Sequence, residues 1–318
     1  MTQIDGIPRP LKQADRRAIA VDEAVAHNFP PGSKVKSAHE RGGSHWTHPA
    51  RIDVELSDKT LKSYFLKTGT GDNGLSMVRG EFEGSKVIHK YTPGGIPRPI
   101  AWGTYKSDPN SHFYLCEFVD MSDGLPDKTK FSAMLAKLHR NSMADKDAPE
   151  EFGFHVMTHE GSMYQDISWC KTWEQMYTRR FQSFVDQERV SQGPSTELDE
   201  IVPQFINKVI PRLLRPLGTH GRVIKPVALH ADIWCGNLAT NAATGEPLYF
   251  DPSVFWDDVG NMVTKRYELG SDWMEEYFKF FECSEPKDEY KDRNLLYSMA
   301  IEDMKRLLGK FPNGYQGE

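Results

Sequence analysis

The spacing of apolar and polar residues divides this chain into a strand-rich first part and a helix-rich second part. Before about residue 120, short segments either alternate in polarity or are continuously apolar, which is typical of strands. We expect these segments to form a five-stranded antiparallel sheet, with a first strand that begins near residue 35 and precedes the turn at 42–44, and further strands at 50–56, 62–69, 100–105 and 112–119. One main helix is predicted at 77–91, after a glycine-rich loop at 70–76, and a leading helix is predicted at 12–28.

After about residue 120 the apolar residues recur with the spacing of helices. We expect helices around the segments 131–138, 173–188, 198–214, 267–281 and 288–308. Pro203 and Pro211 should shorten or kink the third of these, because proline lacks the N–H that a helix interior needs. The segment 152–173 is long, aromatic and turn-like, and its aromatic side chains could cover a ligand or pin the segment to the core.

These elements predict an α+β fold with two lobes. The N-terminal lobe is expected at 1–119, with 1–30 as its leading helical segment, and it contains the sheet and the main helix. The C-terminal lobe, at 120–318, is expected to be mostly helical. A polar, glycine-containing break after residue 117 is where a hinge between the lobes would lie.

The strongest chemical pattern lies in the second lobe. A short apolar strand at 227–229 leads into a loop with His230 and Asp232, and Asn237 follows Asp232 with four residues between them. A second short strand at 248–250 leads to Asp251. This layout is typical of a phosphoryl-transfer site. Asp232 would accept the proton of an attacking hydroxyl, and Asn237 and Asp251 would supply the hard oxygen ligands that Mg²⁺ prefers.

A strand lysine and a helix glutamate complete this pattern in the first lobe. Lys67 stands near the end of the strand at 62–69, where a buried ammonium would need an anionic partner. On the following helix, Glu81 shares a face with apolar residues, whereas Glu83 lies on another face. We therefore predict that Lys67 pairs with Glu81 beside the phosphates of a nucleotide.

Two further stretches are candidates for binding ATP through their backbone. The turn Gly42, Gly43 and Ser44 could lie over the phosphates, because glycine leaves backbone N–H groups unshielded. A hinge at Glu117, Phe118 and Val119 could pair with adenine through one C=O and one N–H group. The expected cofactors are thus ATP and Mg²⁺.

Composition narrows the class of partner. The 318 residues carry a net charge of −6, which gives no basic footprint for nucleic acid and no attraction to an anionic membrane. The four cysteines are scattered, which argues against a zinc site and favours reduced thiols in the cytoplasm. The first residues lack the apolar core of a secretory signal. We expect a cytoplasmic protein, a monomer or weak homodimer, that acts on a small molecule or a modified protein.

The motif L-H-A-D-I-W-C-G-N at 229–237 resembles the L-H-G-D-L-W-x-G-N motif of the fructosamine-3-kinase (ketosamine or ribulosamine kinase) family. The stretch F-D-P-S-V-F at 250–255 is similar to the F-D-P-x-x-F/Y stretch of that family. Further similar stretches run from about residue 35 to the end of the chain, and some resemble the fungal branch. They include Gly80 with Glu81, F-G-F-H-V at 152–156, Trp169, Trp173 and the closing Gly314 with Tyr315.

The resemblance implies a protein-kinase-like fold and an ATP-dependent deglycation reaction that phosphorylates the 3-hydroxyl of a ketosamine, free or on a protein lysine. By position, it implies that Asp232 is the base and that Asn237 and Asp251 bind the metal. Lys67 and Glu81 would form the phosphate-holding pair. Trp234 would stack against the sugar-amine substrate, and we assign His230 to the substrate as well.

Two departures from the family pattern leave the acceptor open. Ala231 stands where the family has glycine, and the segment 256–266 is longer than the family's linker. One alternative is a kinase of another small alcohol, such as choline or an aminoglycoside; Asp257 and Asp258 could belong to an aminoglycoside site. The other is a catalytically silent nucleotide-binding protein, although such proteins usually lack a site Lys, Asp or Asn that this chain retains.

Overall fold

A computed structural model of the protein describes residues 17–41, 47–258 and 269–317. The first lobe is built on a five-stranded sheet with the strand order β1-β2-β3-β5-β4, in which all neighbours are antiparallel. The strands are β1 (Lys34–Glu40), β2 (His48–Glu55), β3 (Leu61–Thr70), β4 (Pro99–Thr104) and β5 (Ser111–Glu117). The prediction of a five-stranded antiparallel sheet is confirmed.

The main helix, α2 (Gly71–Tyr91), follows β3 without an intervening loop. The predicted loop at 70–76 is therefore wrong. Gly69 and Gly74 explain the difference: a Cβ on Gly69 would lie 2.9 Å from the Cα of Gly74, so the two glycines let the first helical turn touch the strand end. Close packing here outweighs the low helix propensity of glycine.

The leading helix is shorter than predicted. Of the predicted segment 12–28, residues 12–16 lie outside the described residues, and the helix that is described is α1 (Glu23–Ala26). The residues before it are extended: the Ile19 N–H donates to the Ala38 carbonyl (3.0 Å), and the Glu40 N–H donates to the Arg17 carbonyl (2.9 Å). Asp22 starts the helix, because its carboxylate accepts from the Ala24 N–H (2.8 Å).

The second lobe is mostly helical, as predicted. Its helices are α3 (Lys128–Ala144), α4 (Trp173–Gln192), α5 (Thr196–Gln204), α6 (Ile210–Leu214), α7 (Ser271–Tyr277), α8 (Tyr290–Ser298) and α9 (Ile301–Lys310). No helix among the described residues is long and apolar enough to cross a lipid bilayer. These helices enclose the larger apolar core, which also receives Ile88 and Tyr91 from the end of α2.

Short strands connect these helices. They are β6 (Met121–Ser122), β7 (Thr158–Glu160), β8 (Met163–Gln165), β9 (Val227–Leu229), β10 (Leu238–Asn241), β11 (Pro247–Tyr249) and β12 (Phe255–Asp257). β10 pairs with β6 and β11, β9 pairs with β12, and β7 and β8 form a hairpin. The predicted loop at 152–173 contains this hairpin, and buried Phe152, Phe154 and Trp173 fix the segment to the core.

Two predicted helices are divided in the structure. Between α5 and α6 the chain forms a π-helical turn, Phe205–Val209, so the expected effect of the prolines is confirmed. The helix predicted at 288–308 is divided at Met299, whose φ is +54°. Ser298 stabilises this break, because its hydroxyl donates to Asp303 (2.6 Å) and accepts from the Ala300 N–H (3.4 Å). Both breaks depend on local hydrogen bonding that apolar spacing does not record.

Two glycines let α2 contact the second lobe closely. A Cβ on Gly80 would overlap the carbonyl oxygen of Met157, just before β7. A Cβ on Gly84 would lie 3.0 Å from the Val254 side chain. Because α2 also packs on the sheet through Val78, these contacts fix the distance between the sheet and the second lobe.

We expect Gly80→Ala to lower the free energy of unfolding by about 1–3 kcal/mol, because the added methyl group forces α2 away from a backbone carbonyl. Gly309→Ala in α9 is the matched control. A Cβ at Gly309 meets no atom within 4 Å, so that change should raise stability by about 0.5–1 kcal/mol through helix propensity alone. Urea denaturation of both variants measures the difference, and equal effects in the two would contradict the packing argument.

Candidate active site

The loop after β9 is held in place by His230. The ring is 1% exposed; its Nε2–H donates to the Phe250 carbonyl (3.0 Å), and its Nδ1 accepts from the Asp232 N–H (3.3 Å). Burial lowers the pKa of His230 to about 4, so the ring is neutral at physiological pH. The sequence-based assignment of His230 to substrate binding is therefore wrong: it is a buried scaffold residue that orients Asp232.

Ala231 adopts the left-handed conformation that its position requires. Its φ is +63°, a conformation that glycine adopts at lower cost than alanine. The next residue, Asp232, accepts from the Asn237 side-chain amide at its carboxylate (2.8 Å) and at its carbonyl (3.0 Å). The Phe250 N–H in turn donates to the Asn237 carbonyl (3.1 Å). Together these hydrogen bonds fix the loop after β9 against the residue that precedes Asp251.

Lys67, Glu81 and Asp251 meet in one cluster between the lobes. The Lys67 ammonium lies 2.8 Å from both carboxylate oxygens of Glu81 and also contacts Oδ1 of Asp251. Lys67 comes from β3, Glu81 from α2, and Asp251 from the loop after β11. The pairing of Lys67 with Glu81 that the helix face suggests is present. Its direct contact with Asp251 is an addition that the sequence pattern did not indicate.

The cluster contains two carboxylates and one ammonium. Burial opposes the charge on Lys67, but Asp251 and Glu81 outweigh it and raise its pKa, so the ammonium is retained. Burial, together with Asp251, raises the pKa of Glu81 to about 8 although Lys67 lowers it. At neutral pH a proton on Glu81 therefore balances the excess of carboxylates over ammonium, and a bound cation would displace that proton.

This excess of carboxylates fits a divalent cation. The side chain of Asp251 is 48% exposed, and its Oδ2 is not the oxygen that contacts Lys67. The side-chain amide nitrogen of Asn237 donates to Asp232. The side-chain oxygen, Oδ1, is therefore the atom of Asn237 that would bind the metal. Among the described residues no group of three or more His, Cys, Asp and Glu side chains could hold a metal. A Mg²⁺ site with few protein ligands is completed by phosphate oxygens and water.

Asp232 separates two cavities. A smaller one, of about 100 Å³, is lined by Asp232 together with Lys67, Glu81 and Asp251. A larger one, of about 400 Å³, is lined by Asp232 together with Trp234, Glu160 and Arg180. The smaller cavity presents the charged groups that a polyphosphate and a cation would need. The larger one has a mainly apolar wall with a few charged groups, as binding sites for small organic molecules do.

The larger cavity is assembled from segments far apart in the sequence. The hairpin provides Glu160 and Met163, α4 provides Arg180 and Phe184, and the break at Met299 opens the wall between α8 and α9. Trp234 folds over Gly236, where a Cβ would overlap the indole ring. The W-x-G spacing is thus a packing requirement that places the indole in the cavity wall.

Neither Glu160 nor Arg180 was predicted from the sequence. For Arg180, however, the spacing of residues along α4 does indicate a buried charge. Trp173, Met176, Tyr177 and Phe181 form the buried face of α4, and Arg180 lies on that same face at helical spacing. A charged residue on an apolar face requires a buried partner. Glu160 had no comparable signal, because it lies at the end of a three-residue strand.

Of the residues predicted to bind ATP through their backbone, those that the structure describes do not line either of the two cavities. Gly42, Gly43 and Ser44 are outside the described residues. Side chains at Glu117 and Phe118 have structural partners. Glu117 pairs with Lys62 (2.7 Å) and Arg98 (2.9 Å). The guanidinium carbons of Arg41 and Arg51 lie 4.8 Å and 4.5 Å from the centre of the Phe118 ring. Val119 follows the end of β5. Any contact of these three residues with adenine would therefore use their backbone.

Asp257 and Asp258 do not line a binding-site mouth. They are 0% and 2% exposed, and Asp257 pairs with Val227 across β12 and β9. This removes the feature that favoured an aminoglycoside acceptor. Residues 259–266 of the longer segment lie outside the described residues.

Burial raises the pKa of Asp232 from 3.8 to about 7, and the negative charges of Glu160 and Asp251 add to this effect. Asn237 and Arg180 act in the opposite direction. The carboxyl group can therefore both accept and release a proton near neutral pH, as a general base must.

Comparison with known proteins identifies relatives along most of the chain. The fructosamine kinase family model matches residues 24–305. A rice (Oryza sativa subsp. japonica) protein named protein-ribulosamine 3-kinase, chloroplastic, is 27% identical over 246 residues, which cover 74% of this chain and 64% of the rice protein. A mouse (Mus musculus) ketosamine-3-kinase is 25% identical over 244 residues, which cover 70% of this chain and 74% of the mouse protein. This chain thus spans less than two thirds of the rice relative.

The fold is shared with a solved structure. A Thermobifida fusca protein, provisionally assigned as a fructosamine-3-kinase, superposes with a TM-score of 0.68 at 18% identity, over 91% of this chain and 100% of that chain. At this identity the likeness shows the fold. The predicted bilobal kinase-like α+β architecture is confirmed.

We expect Asp232→Asn to stabilise the protein more at pH 8 than at pH 5. The pKa of Asp232 is higher in the folded state (about 7) than its ordinary value of 3.8, so wild-type stability falls as the pH rises through this interval. Asparagine cannot ionise but keeps the acceptor for Asn237. The advantage of the variant should grow by about 1–3 kcal/mol between pH 5 and pH 8.

Asp53→Asn is the matched control for denaturation curves at the two pH values. Burial opposes ionisation of Asp53, but Ser63, Arg51 and Ser37 outweigh it and lower its pKa. Asp53 is therefore ionised throughout pH 5–8 in both states, and its variant should show an effect that does not change with pH. A pH-independent effect of Asp232→Asn would show that Asp232 is not perturbed.

Proposed function

Because the chain belongs to the fructosamine kinase family, we propose that it transfers the γ-phosphoryl group of ATP to a hydroxyl of a ketosamine. The observation that carries this proposal is the place of Asp232 between two cavities. One cavity has the charges for a nucleotide's phosphates, and the other has the size and apolar wall for a sugar-amine. A group that touches both can take the proton from an acceptor hydroxyl while it attacks the phosphorus.

The roles of the other residues follow from their positions. Lys67, oriented by Glu81, would bind the phosphates and balance their charge. Asn237 and Asp251 would hold Mg²⁺, which supplies the charge that stabilises the transferring phosphoryl group. Trp234 would orient the acceptor from the wall of the larger cavity. The chain's contribution is thus to position two substrates and to hold a base with a pKa near 7 between them.

Nucleotide binding would also use backbone groups at the lobe boundary. We place adenine at Glu117, Phe118 and Val119, and the phosphates under Gly42, Gly43 and Ser44, with the lobes meeting at residues 119 and 120. These assignments are supported by the order of elements: β5 ends at Glu117 and the helical lobe follows. A cytoplasmic location is compatible with the four free cysteines, and a monomer or weak homodimer stays a prediction.

The acceptor we propose is fructosamine or ribulosamine, free or on a protein lysine, so that the reaction would begin the repair of glycated amines. The names of the rice and mouse relatives support this class of acceptor. The burial of Asp257 and Asp258 weighs against a polycationic aminoglycoside.

Wild-type protein should consume ATP with fructose-lysine or ribulose-lysine and not with choline or an aminoglycoside. Asp232→Asn should reduce kcat by about 10²–10⁴-fold, because the general base is lost, while binding of Mg–ATP is retained. Coupled ATP-consumption assays measure both quantities. Turnover of choline or an aminoglycoside alone, or unchanged turnover in the variant, would refute the assignment of acceptor or base.

We expect Mg–ATP to raise the melting temperature of the wild type, and Asp251→Ala to abolish the part that depends on Mg²⁺. Removing Asp251 deletes a metal ligand and leaves Lys67 paired with Glu81 alone. Thermal scans with ATP, with and without Mg²⁺, measure this effect. If the increase in melting temperature caused by ATP is the same with and without Mg²⁺ and in both proteins, this would indicate a nucleotide-binding protein without phosphoryl transfer.

A further inference from the structure

The larger cavity carries more negative than positive charge. Three acidic residues, Asp232, Glu160 and Glu188, line it together with one basic residue, Arg180. Glu188 is exposed, whereas Arg180 is 5% exposed. A cavity with this balance favours a cationic ligand over a neutral one of the same shape.

Glu160 is the acidic residue best placed to select such a ligand. It lies at the end of β7, between His159 and Gly161, which line the smaller cavity, while Glu160 itself lines the larger one. Glu160 and Asp232 line this larger cavity together. A cation bound beside Glu160 would therefore be attracted by both carboxylates and would relieve their mutual repulsion.

The hairpin holds Glu160 rigidly. Thr158 donates to the Ser253 carbonyl (3.1 Å), and Gln165 donates to the Thr158 hydroxyl (3.1 Å). Arg180 bonds to both Gln165 and Glu160, so its guanidinium ties the two strands of the hairpin to α4. Because Ser253 follows Asp251 by two residues, the same network links Glu160 to the loop that carries the proposed metal ligand.

Glu160 can still accept a ligand. Arg180 is its one salt-bridge partner among the described residues, and the contact uses Oε1. The side chain of Glu160 is 33% exposed, while that of Arg180 is 6% exposed. A carboxylate has lone pairs for several donors, so Oε2 remains for a second cation. Arg180 acts as the anchor, and Glu160 presents its other oxygen to the cavity.

We propose that Glu160, held by Arg180, binds the secondary ammonium group of the acceptor and so distinguishes a glycated amine from a neutral sugar. This inference rests on the proposed function, since it specifies which group of the ketosamine the cavity recognises. The acceptor hydroxyl at Asp232 and the ammonium at Glu160 belong to adjoining parts of one small molecule. The apolar wall beyond them, which includes Phe184, Leu198 and Ile301, would take the alkyl chain of the amine.

The test compares two acceptors in wild type and Glu160→Gln. One is an N-alkyl-1-amino-1-deoxyfructose, which is cationic at neutral pH, and the other is the matching 1-O-alkyl ether, which is neutral. Glutamine keeps an oxygen for Arg180 but removes the charge. The variant should raise KM for the amine by about ten- to a hundredfold and change KM for the ether by no more than about threefold, with kcat for both little altered.

Glu188→Gln is the matched control, because it removes the same charge from an exposed position on the same cavity. Its KM for the amine should rise much less than that of Glu160→Gln, since the charge of the exposed Glu188 is screened by solvent. Equal losses in the two variants would show that only the overall charge of the cavity matters. Equal effects of Glu160→Gln on the amine and the ether would likewise overturn direct recognition.

Calorimetry separates this inference from the proposed function. If wild-type protein turns over neither acceptor, phosphoryl transfer to ketosamines is wrong, but the Kd values for amine and ether still decide the role of Glu160. Glu160→Asp keeps the charge on a shorter side chain and should retain part of the preference for the amine. An unchanged Mg–ATP melting shift shows that a variant is folded, and a folded Glu160→Gln variant that still prefers the amine as wild type does overturns the proposal.

Discussion

Lys67 cannot be buried without anions around it, and much of the architecture follows from that requirement. Its ammonium is met by Glu81 from α2 and by Asp251 from the second lobe, so one side chain of β3 joins three parts of the molecule. The helix can approach closely enough only because Gly80 and Gly84 lack side chains where α2 meets the hairpin and the segment after Asp251. The ion cluster and the glycine contacts therefore depend on each other.

A second set of constraints lies in the loop after β9. Buried, neutral His230 and the Asn237 backbone both bond to Phe250, which fixes Asp232 relative to Asp251. The same burial raises the pKa of Asp232 to about 7. A carboxyl group held in that state destabilises the folded protein at neutral pH. Such a group lowers the stability of the fold but would serve as the proposed base, in keeping with the usual relation between stability and function.

Irregular structure forms the larger cavity, where we propose that the acceptor binds. A short hairpin, a buried arginine on α4 and the interruption between α8 and α9 together form the wall opposite Trp234. Each is a departure from regular secondary structure or apolar patterning. If the proposed function holds, these segments would set specificity for the acceptor, and the sheet, α2 and the two aspartate loops would bind the nucleotide.

The sequence by itself determined the α+β class, the five-stranded sheet, the main helix and the pairing of Lys67 with Glu81, because periodicity and short motifs record local structure and chemistry. It did not identify Arg180, although the helical spacing of α4 places this residue among buried apolar ones. Only the tertiary structure decided that His230 is scaffold, that Asp257 and Asp258 are buried, and that Glu160 lines the larger cavity. The physical reason is that burial and charge pairing join residues distant in the chain, and neither spacing nor composition encodes which distant residues will meet.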